Sequence, residues 1–404
     1  MTAIEPTRVY GSSGARFMAR RAYAWVAAAA ATDAAGTTPL VDLADDELDR
    51  AAAPHIVEAT VAALERGETH YTDRAGIPPL RAAVAARVAA EDGVTYVPQG
   101  EVLICGGGRE ALFVAIQMLV ESGDEVLMPD LAPAAFVEGV RLAGGVPVLV
   151  PTRAAEGFAL RAEAVAARIT PRTRLLLLAS PAAPSGGVTT GADLAALAEL
   201  ICRHGLYLIW DETYRDYAFG VERRHPATLP GMWERTIVVG SFSTRYAMAG
   251  WRAGYILGPA PLLRTIAMLK QSLTICSPAP SQWAALAALT GPQDEAEAAV
   301  REVATRRATA LRALDALGLA CGGAGTPYLF VGVRGLGVTG GEFADAALRE
   351  AGVRVLSGDV FGAAGTGFVR LTLGVPTAIL ALAIERLAPL VGRLRDEAGR
   401  TGGH

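Results

Sequence analysis

Between residues 102 and 257, short apolar runs alternate with amphipathic stretches, and this alternation constrains the fold more than any other feature. Val102–Ile104, Glu125–Met128, Val146–Val150, Arg174–Ala179, Tyr207–Trp210, Thr236–Val239 and Tyr255–Leu257 read as strands. Arg109–Glu121 and Asp193–His204, lying between them, read as helices. A strand that is apolar on both faces needs cover on both faces. The pattern therefore predicts an α/β fold with a mostly parallel central sheet sandwiched by helices.

On either side of this region the texture changes. An amphipathic helix opens at Pro54 and runs to about Arg66, and a second begins in Gly76–Arg81 with proline near its first turn. Beyond residue 290 come a long charged helix, Glu295–Leu317, a strand at Tyr328–Val331 and a helix at Gly341–Ala351. Phe368–Leu371 then reads as a strand, and a final helix starts at Thr377. Gly322–Gly325 reads as a short turn. The expected organisation is an N-terminal arm (1–45), a large domain (46–290) and a small α/β C-terminal domain (291–404). The arm, with Arg16, Arg20, Arg21 and an alanine tract, is expected to be helical and to pack on a partner subunit or on the small domain.

Composition narrows the function classes. The 404 residues are 51% hydrophobic and 19% charged, enough to bury a large core. Thirty-seven basic residues stand against 41 acidic ones, interspersed, which gives no electrostatic reason to expect nucleic acid or an anionic membrane. No apolar run approaches the ~20 residues of a membrane span. Cys105, Cys202, Cys276 and Cys321 lie far apart with no metal-ligand spacing, so no metal site is expected and a cytoplasmic setting fits. Lys270 is the only lysine. It falls on an apparent helix, Pro261–Ser272, where a solvated surface position is expected.

The most distinctive stretch is Gly240–Tyr255, Gly-Ser-Phe-Ser-Thr-Arg-Tyr-Ala-Met-Ala-Gly-Trp-Arg-Ala-Gly-Tyr. It resembles the cofactor-lysine segment of class I/II aminotransferases, the fold type I pyridoxal-phosphate (PLP) enzymes, usually Ser-Phe-Ser-Lys followed by Gly-Trp-Arg-x-Gly-Tyr. The segment Thr69-His70-Tyr71-Thr72 with Gly76-Ile77-Pro78-Pro79-Leu80-Arg81 is similar to a second family block. The resemblance spans about residues 40–395 and implies a homodimer with shared sites.

The same resemblance assigns roles. Gly106-Gly107-Gly108-Arg109 follows a strand and opens a helix. On its own this is a tight strand–helix turn; matched to the family it is the phosphate loop, with Gly107, Gly108 and Arg109 binding cofactor. Ser241, Ser243 and Arg252 join that set, and Tyr71 would reach the phosphate from the neighbouring subunit. Asp211 ends a strand, where it is either a helix N-cap or, as the family implies, the partner of the pyridine nitrogen. Tyr214 would reach the ring O3′. Arg370, in Phe-Val-Arg-Leu, would clamp a substrate carboxylate; the alternative is a structural ion pair.

Three positions depart from the family pattern. Thr244 stands where the Schiff-base lysine belongs, so a covalent anchor and a proton-transfer base are lost together. Ala183 in Ser180–Gly186 replaces an asparagine that would bond O3′. Pro133 falls near the tyrosine that stacks on the ring, with Phe136 as a substitute. Apart from these three, the match to the family's substrate-pocket glycine is left open at Ala44-Asp45-Asp46-Glu47. Three departures on three loops point to natural divergence rather than to an engineered trap.

Three functional readings follow. The first is an enzyme with non-standard chemistry on an amino-acid-like or carboxylate substrate. It would hold PLP or its aminated form, PMP, without a covalent bond, or work without PLP. The alanine-rich, arginine-for-lysine composition associates such a protein with bacterial secondary metabolism. The second is a catalytically inactive homologue acting as a binding or regulatory subunit. The third is an ordinary aminotransferase.

Overall fold

Seven strands lie side by side in the order β2-β8-β7-β6-β5-β3-β4. They are β2 (Val102–Cys105), β3 (Glu125–Pro129), β4 (Val146–Val150), β5 (Thr173–Ala179), β6 (Tyr207–Asp211), β7 (Thr236–Ser241) and β8 (Gly254–Leu257). The computed structural model describes residues 39–45 and 47–401, so residues 1–38 of the expected arm lie outside the described residues. Only β8 runs against its neighbours, pairing antiparallel with both β2 and β7. The sheet is therefore mostly parallel, as the alternation predicts.

Strand periodicity explains why helices cover both faces. In β5, Leu176 and Leu178 enter one core while Leu175, Leu177 and Ala179 enter the other. Leu208 and Trp210 of β6 likewise separate from Ile209. The first core is completed by the helices Pro78–Asp92, Gly191–His204 and Ala279–Thr290, the second by Gly108–Leu119, Ala134–Leu142 and Ala260–Thr274. Each fully buried leucine contributes about 1.5–3 kcal/mol.

A second, four-stranded antiparallel sheet has the order β12-β13-β10-β9, built from β9 (Cys321–Gly322), β10 (Tyr328–Gly332), β12 (Leu356–Ser357) and β13 (Phe368–Thr372). The helices Asp294–Ala316 and Thr377–Thr401 pack over it. Near the start of the described chain, β1 (Val41–Asp42) pairs in parallel with β11 (Val353–Arg354), which joins residues about 310 apart in sequence.

The Gly322–Gly325 segment differs from its expected form. Gly322 belongs to β9, Gly325 bridges Ala218, and the N–H groups of Ala324 and Gly325 both donate to the Gly186 carbonyl. A side chain at Gly323 would strike the Ser185–Gly186 backbone, so glycine is required there. The segment is an inter-layer clasp rather than a free turn. The C-terminal ends of β2, β5, β6 and β7 open on the same edge of the large sheet, where ligands sit in folds of this kind.

Candidate functional site

β2 ends at Cys105, and the chain turns through Gly106 and Gly107 into the helix Gly108–Leu119. Gly107 has φ +91°, open to glycine at no steric cost, and a Cβ there would overlap the Arg252 guanidinium. At Gly108 a Cβ would lie 3.2 Å from Thr213 Oγ1 and 3.3 Å from the Ser241 side chain. The first N–H groups of the helix have no acceptor within it and form its positive end. Exposed Arg252, itself left-handed at φ +56°, is held by the carbonyls of Ala249 (3.0 Å) and Gly106 (3.3 Å). Ser241 Oγ donates to Ser243 Oγ at 3.0 Å and accepts from the Ser243 N–H at 3.1 Å. Gly107, Gly108, Ser241, Ser243 and Arg252 are thus brought to one corner of N–H groups, hydroxyls and a guanidinium, to which Thr213 adds a hydroxyl that the sequence did not single out; Arg109, next on the helix, is exposed.

Asp211 stands at the end of β6, and its Oδ1 accepts the Thr213 N–H at 2.9 Å. No helix starts there beyond a short 3-10 turn at Arg215–Tyr217, so Asp211 is not a helix cap. Burial raises its pKa, opposed by the Thr213 hydrogen bonds and by Arg109. Tyr214 lies alongside, its hydroxyl 3.3 Å from that of Tyr328 and the two rings edge to face. Tyr328 in turn underlies Arg370, whose guanidinium sits 4.4 Å from the ring centroid. Arg370 also donates to the Ala44 carbonyl at 2.9 Å, so the N-terminal segment does reach this end of the site. Tyr328 was legible in principle: in the β10–β13 pair Phe330 opposes Arg370, and Tyr328, two residues away, shares its face.

The altered positions have different surroundings. Thr244 is half-buried and accepts a hydrogen bond from the Tyr217 hydroxyl on its backbone oxygen at 3.3 Å. Pro133 caps the helix Ala134–Leu142. Phe136 is 1% exposed and packed inside a core cluster, so it is not a free ring-stacking face. Tyr71 is 79% exposed and makes no hydrogen bond among the described residues. The expectation for Lys270 fails: it is fully buried, because its face of the helix Ala260–Thr274 turns toward β2 and the Gly108–Leu119 helix.

A second polar cluster, from three separate segments, was not foreseen. Asp92, Glu212 and His225 bring potential ligand atoms within 4.8 Å of one another. Arg215 ties Asp92 (2.8 Å) and Glu212 (2.9 Å), and Tyr255 also donates to Glu212 at 2.9 Å. The His225 Nδ1 accepts the Ala227 N–H at 3.2 Å, which leaves the ring proton on Nε2. A donor nitrogen between two arginine-paired carboxylates is poor metal chemistry, and this cluster reads as a buried buttress behind β6.

Comparison with known proteins agrees with this geometry. Residues 38–387 match the family model for aminotransferase class I and II. The aspartate/prephenate aminotransferase of Thermus thermophilus is 37% identical over 360 residues, covering 88% of this chain and 91% of that protein. The arginine–pyruvate transaminase of Pseudomonas aeruginosa is 36% identical over 361 residues, with 89% and 91% covered. The crystal structure of an aromatic aminotransferase from Pyrococcus horikoshii superposes with a TM-score of 0.86 at 32% identity, covering 88% of this chain and 96% of that one. The chain belongs to the class I and II aminotransferase family and has its fold type I architecture, in a family that generally uses PLP. Among the described residues no helix is long and apolar enough to cross a membrane.

The residues present fit that cofactor at one end. The glycine turn, Ser241 and Arg252 form a corner for a phosphate, and Asp211 suits a protonated ring nitrogen. At the other end residue 244 offers a hydroxyl, which cannot form the family's carbon–nitrogen link.

Proposed function

We propose that this protein binds PLP or PMP without a covalent anchor and acts on an amino acid or oxo acid held through its carboxylate. The carrying observation is the combination of Arg252 seated against the glycine turn, Asp211 at the end of β6 and Arg370 stacked on Tyr328, in a chain whose residue 244 is a threonine without an amine. When bound, the cofactor supplies an electron sink for charge developing at the substrate's α-carbon. Arg252, Ser241 and the helix N–H groups hold its phosphate. Asp211 holds the proton on the ring nitrogen, and Tyr214 donates toward O3′. Arg370, backed by Tyr328 and Ala44, orients the carboxylate. Tyr214 and Tyr328, with hydroxyls in hydrogen-bond range of each other, are the protic groups at the junction of cofactor and substrate.

Homodimerisation belongs to the same reading. The exposed Tyr71 makes no hydrogen bond among the described residues, whereas the adjoining Thr72 is fixed by Gln282 at 2.9 Å, which supports use of the loop across an interface. So do the large and small domains divided near residues 45 and 290, and a cytoplasmic setting, consistent with four free cysteines. A second reading, ordinary aminotransferase turnover, is favoured by the names of the relatives, which are aminotransferases.

The test is an absorbance titration of the purified protein with PLP and with PMP, then borohydride treatment and intact mass, alongside a panel of amino donors and oxo acids. Saturable binding with no fixed mass supports the proposal. Stoichiometric fixation together with steady amino transfer establishes the second reading. Binding of neither compound removes the cofactor from both.

A further inference from the structure

The only lysine in the chain is sealed inside it: Lys270 is 0% exposed, and its Nζ makes no hydrogen bond or ion pair among the described residues. Burying an amine without a partner is costly, and a methionine would fill the same space at less cost. Its location suggests what offsets that cost. Lys270 and Thr274 are four residues apart and share a helix face. Thr274 Oγ1 donates to Glu110 Oε1 at 2.7 Å, and the other Glu110 oxygen accepts the Gly106 N–H. That face of the helix Ala260–Thr274 is therefore fastened to the first turn of the anion-binding helix. Cys105, the residue before the glycine turn, has its thiol pKa raised by burial and then by Glu110, and pulled down by Lys270.

We propose that Lys270 is a buried counter-charge for the anion-binding corner, an ammonium behind Gly106–Gly108 that strengthens binding of a phosphate-bearing ligand without touching it. This rests on the phosphate-binding reading above. Solvent-facing Arg252 contacts the phosphate from one side, and Lys270 adds unscreened field from the protein side, where the effective dielectric constant is low. The ionisable groups gathered at the turn are Cys105 of β2, Glu110 of the adjoining helix and Arg252. Glu110 offsets part of the charge in the free protein, and the bound phosphate completes the pairing.

With a single lysine, full-length protein carrying lysine labelled with ¹³C at Cε gives one side-chain signal, whose pH titration reads Lys270 alone. Adding inorganic phosphate, or PLP, should move its midpoint upward, because the bound anion favours the ammonium. By the same linkage, Lys270→Met should lose about tenfold or more in phosphate affinity while keeping its fold. Arg252→Ala serves as the control for the corner itself. If Arg252→Ala abolishes binding while Lys270→Met binds normally, or if the labelled signal ignores phosphate, the proposal falls and the phosphate reading survives. If the wild type binds neither phosphate nor PLP, both fall. Fixation of PLP on Lys270 by borohydride would also overturn the proposal, since the residue would then be a covalent anchor. Should Lys270→Met fail to fold, the wild-type signal decides by itself.

Discussion

The two ends of the candidate site are built from different materials. The phosphate end consists of backbone N–H groups, a glycine that a side chain would push into Arg252, and hydroxyls fixed at strand ends. The opposite end depends on side chains reaching inward from loops, and there Thr244, Ala183 and Pro133 depart from the family pattern. A backbone cradle is held by the fold, because changing it means moving β2, β8 or the helix Gly108–Leu119. A side-chain function is removed by a single substitution. A role carried by such a cradle is therefore the hardest to lose, while one carried by a single side chain is the easiest.

The largest expected effect comes from reversing the difference at residue 244. Thr244→Lys should turn a protein with no borohydride-fixed cofactor into one that fixes PLP stoichiometrically, read by intact mass. If it does not, the second end has changed in more than one residue. Attacking the phosphate end comes next. Arg252→Ala should weaken PLP binding by about 10- to 150-fold in an absorbance titration, given about 1.5–3 kcal/mol for a hydrogen bond to a charged group. Arg370→Ala should raise the dissociation constant of an oxo acid about tenfold or more on the same scale, and leave PLP affinity nearly unchanged. An equal loss of both would mean that the two ends are coupled.

The smallest effect concerns Asp211, where the two ends meet. Its folded-state pKa is raised by burial, so the folded protein binds the proton more readily than the unfolded chain. That contribution is favourable at low pH and is lost as pH rises through the raised value, which makes the ionised carboxylate a burden in the free protein near neutrality. Asp211→Asn should therefore raise Tm slightly at neutral pH, a gain that disappears on acidification, and should weaken PLP binding. A Tm that falls at neutral pH would show the carboxylate to be structural instead.

What could be read from the sequence follows the same division. The grouping of the glycine turn with Ser241 and Arg252 is legible because its parts are local: a glycine triplet between a strand and a helix, and an arginine eleven residues past Ser241. The parallel sheet is legible because strands apolar on both faces leave a pattern. Lys270 was misplaced because a lysine on an amphipathic helix normally faces water, and nothing local records that this helix is stapled through Thr274 to Glu110 from 164 residues away. Tyr328 was passed over as strand material, since its meaning depends on the β10–β13 register that sets it under Arg370. The Asp92–Glu212–His225 cluster joins three distant segments and has no sequence signature at all.

The sealed Lys270 amine has a further consequence. Every other basic side chain is arginine or histidine, so the surface offers no lysine for acetyl transfer, methylation or ubiquitin-like tagging. Apart from its own first amino group, the folded protein is closed to amine-directed modification, and a cell that adjusts its amount or activity must do so through other residues, through ligand supply or through synthesis.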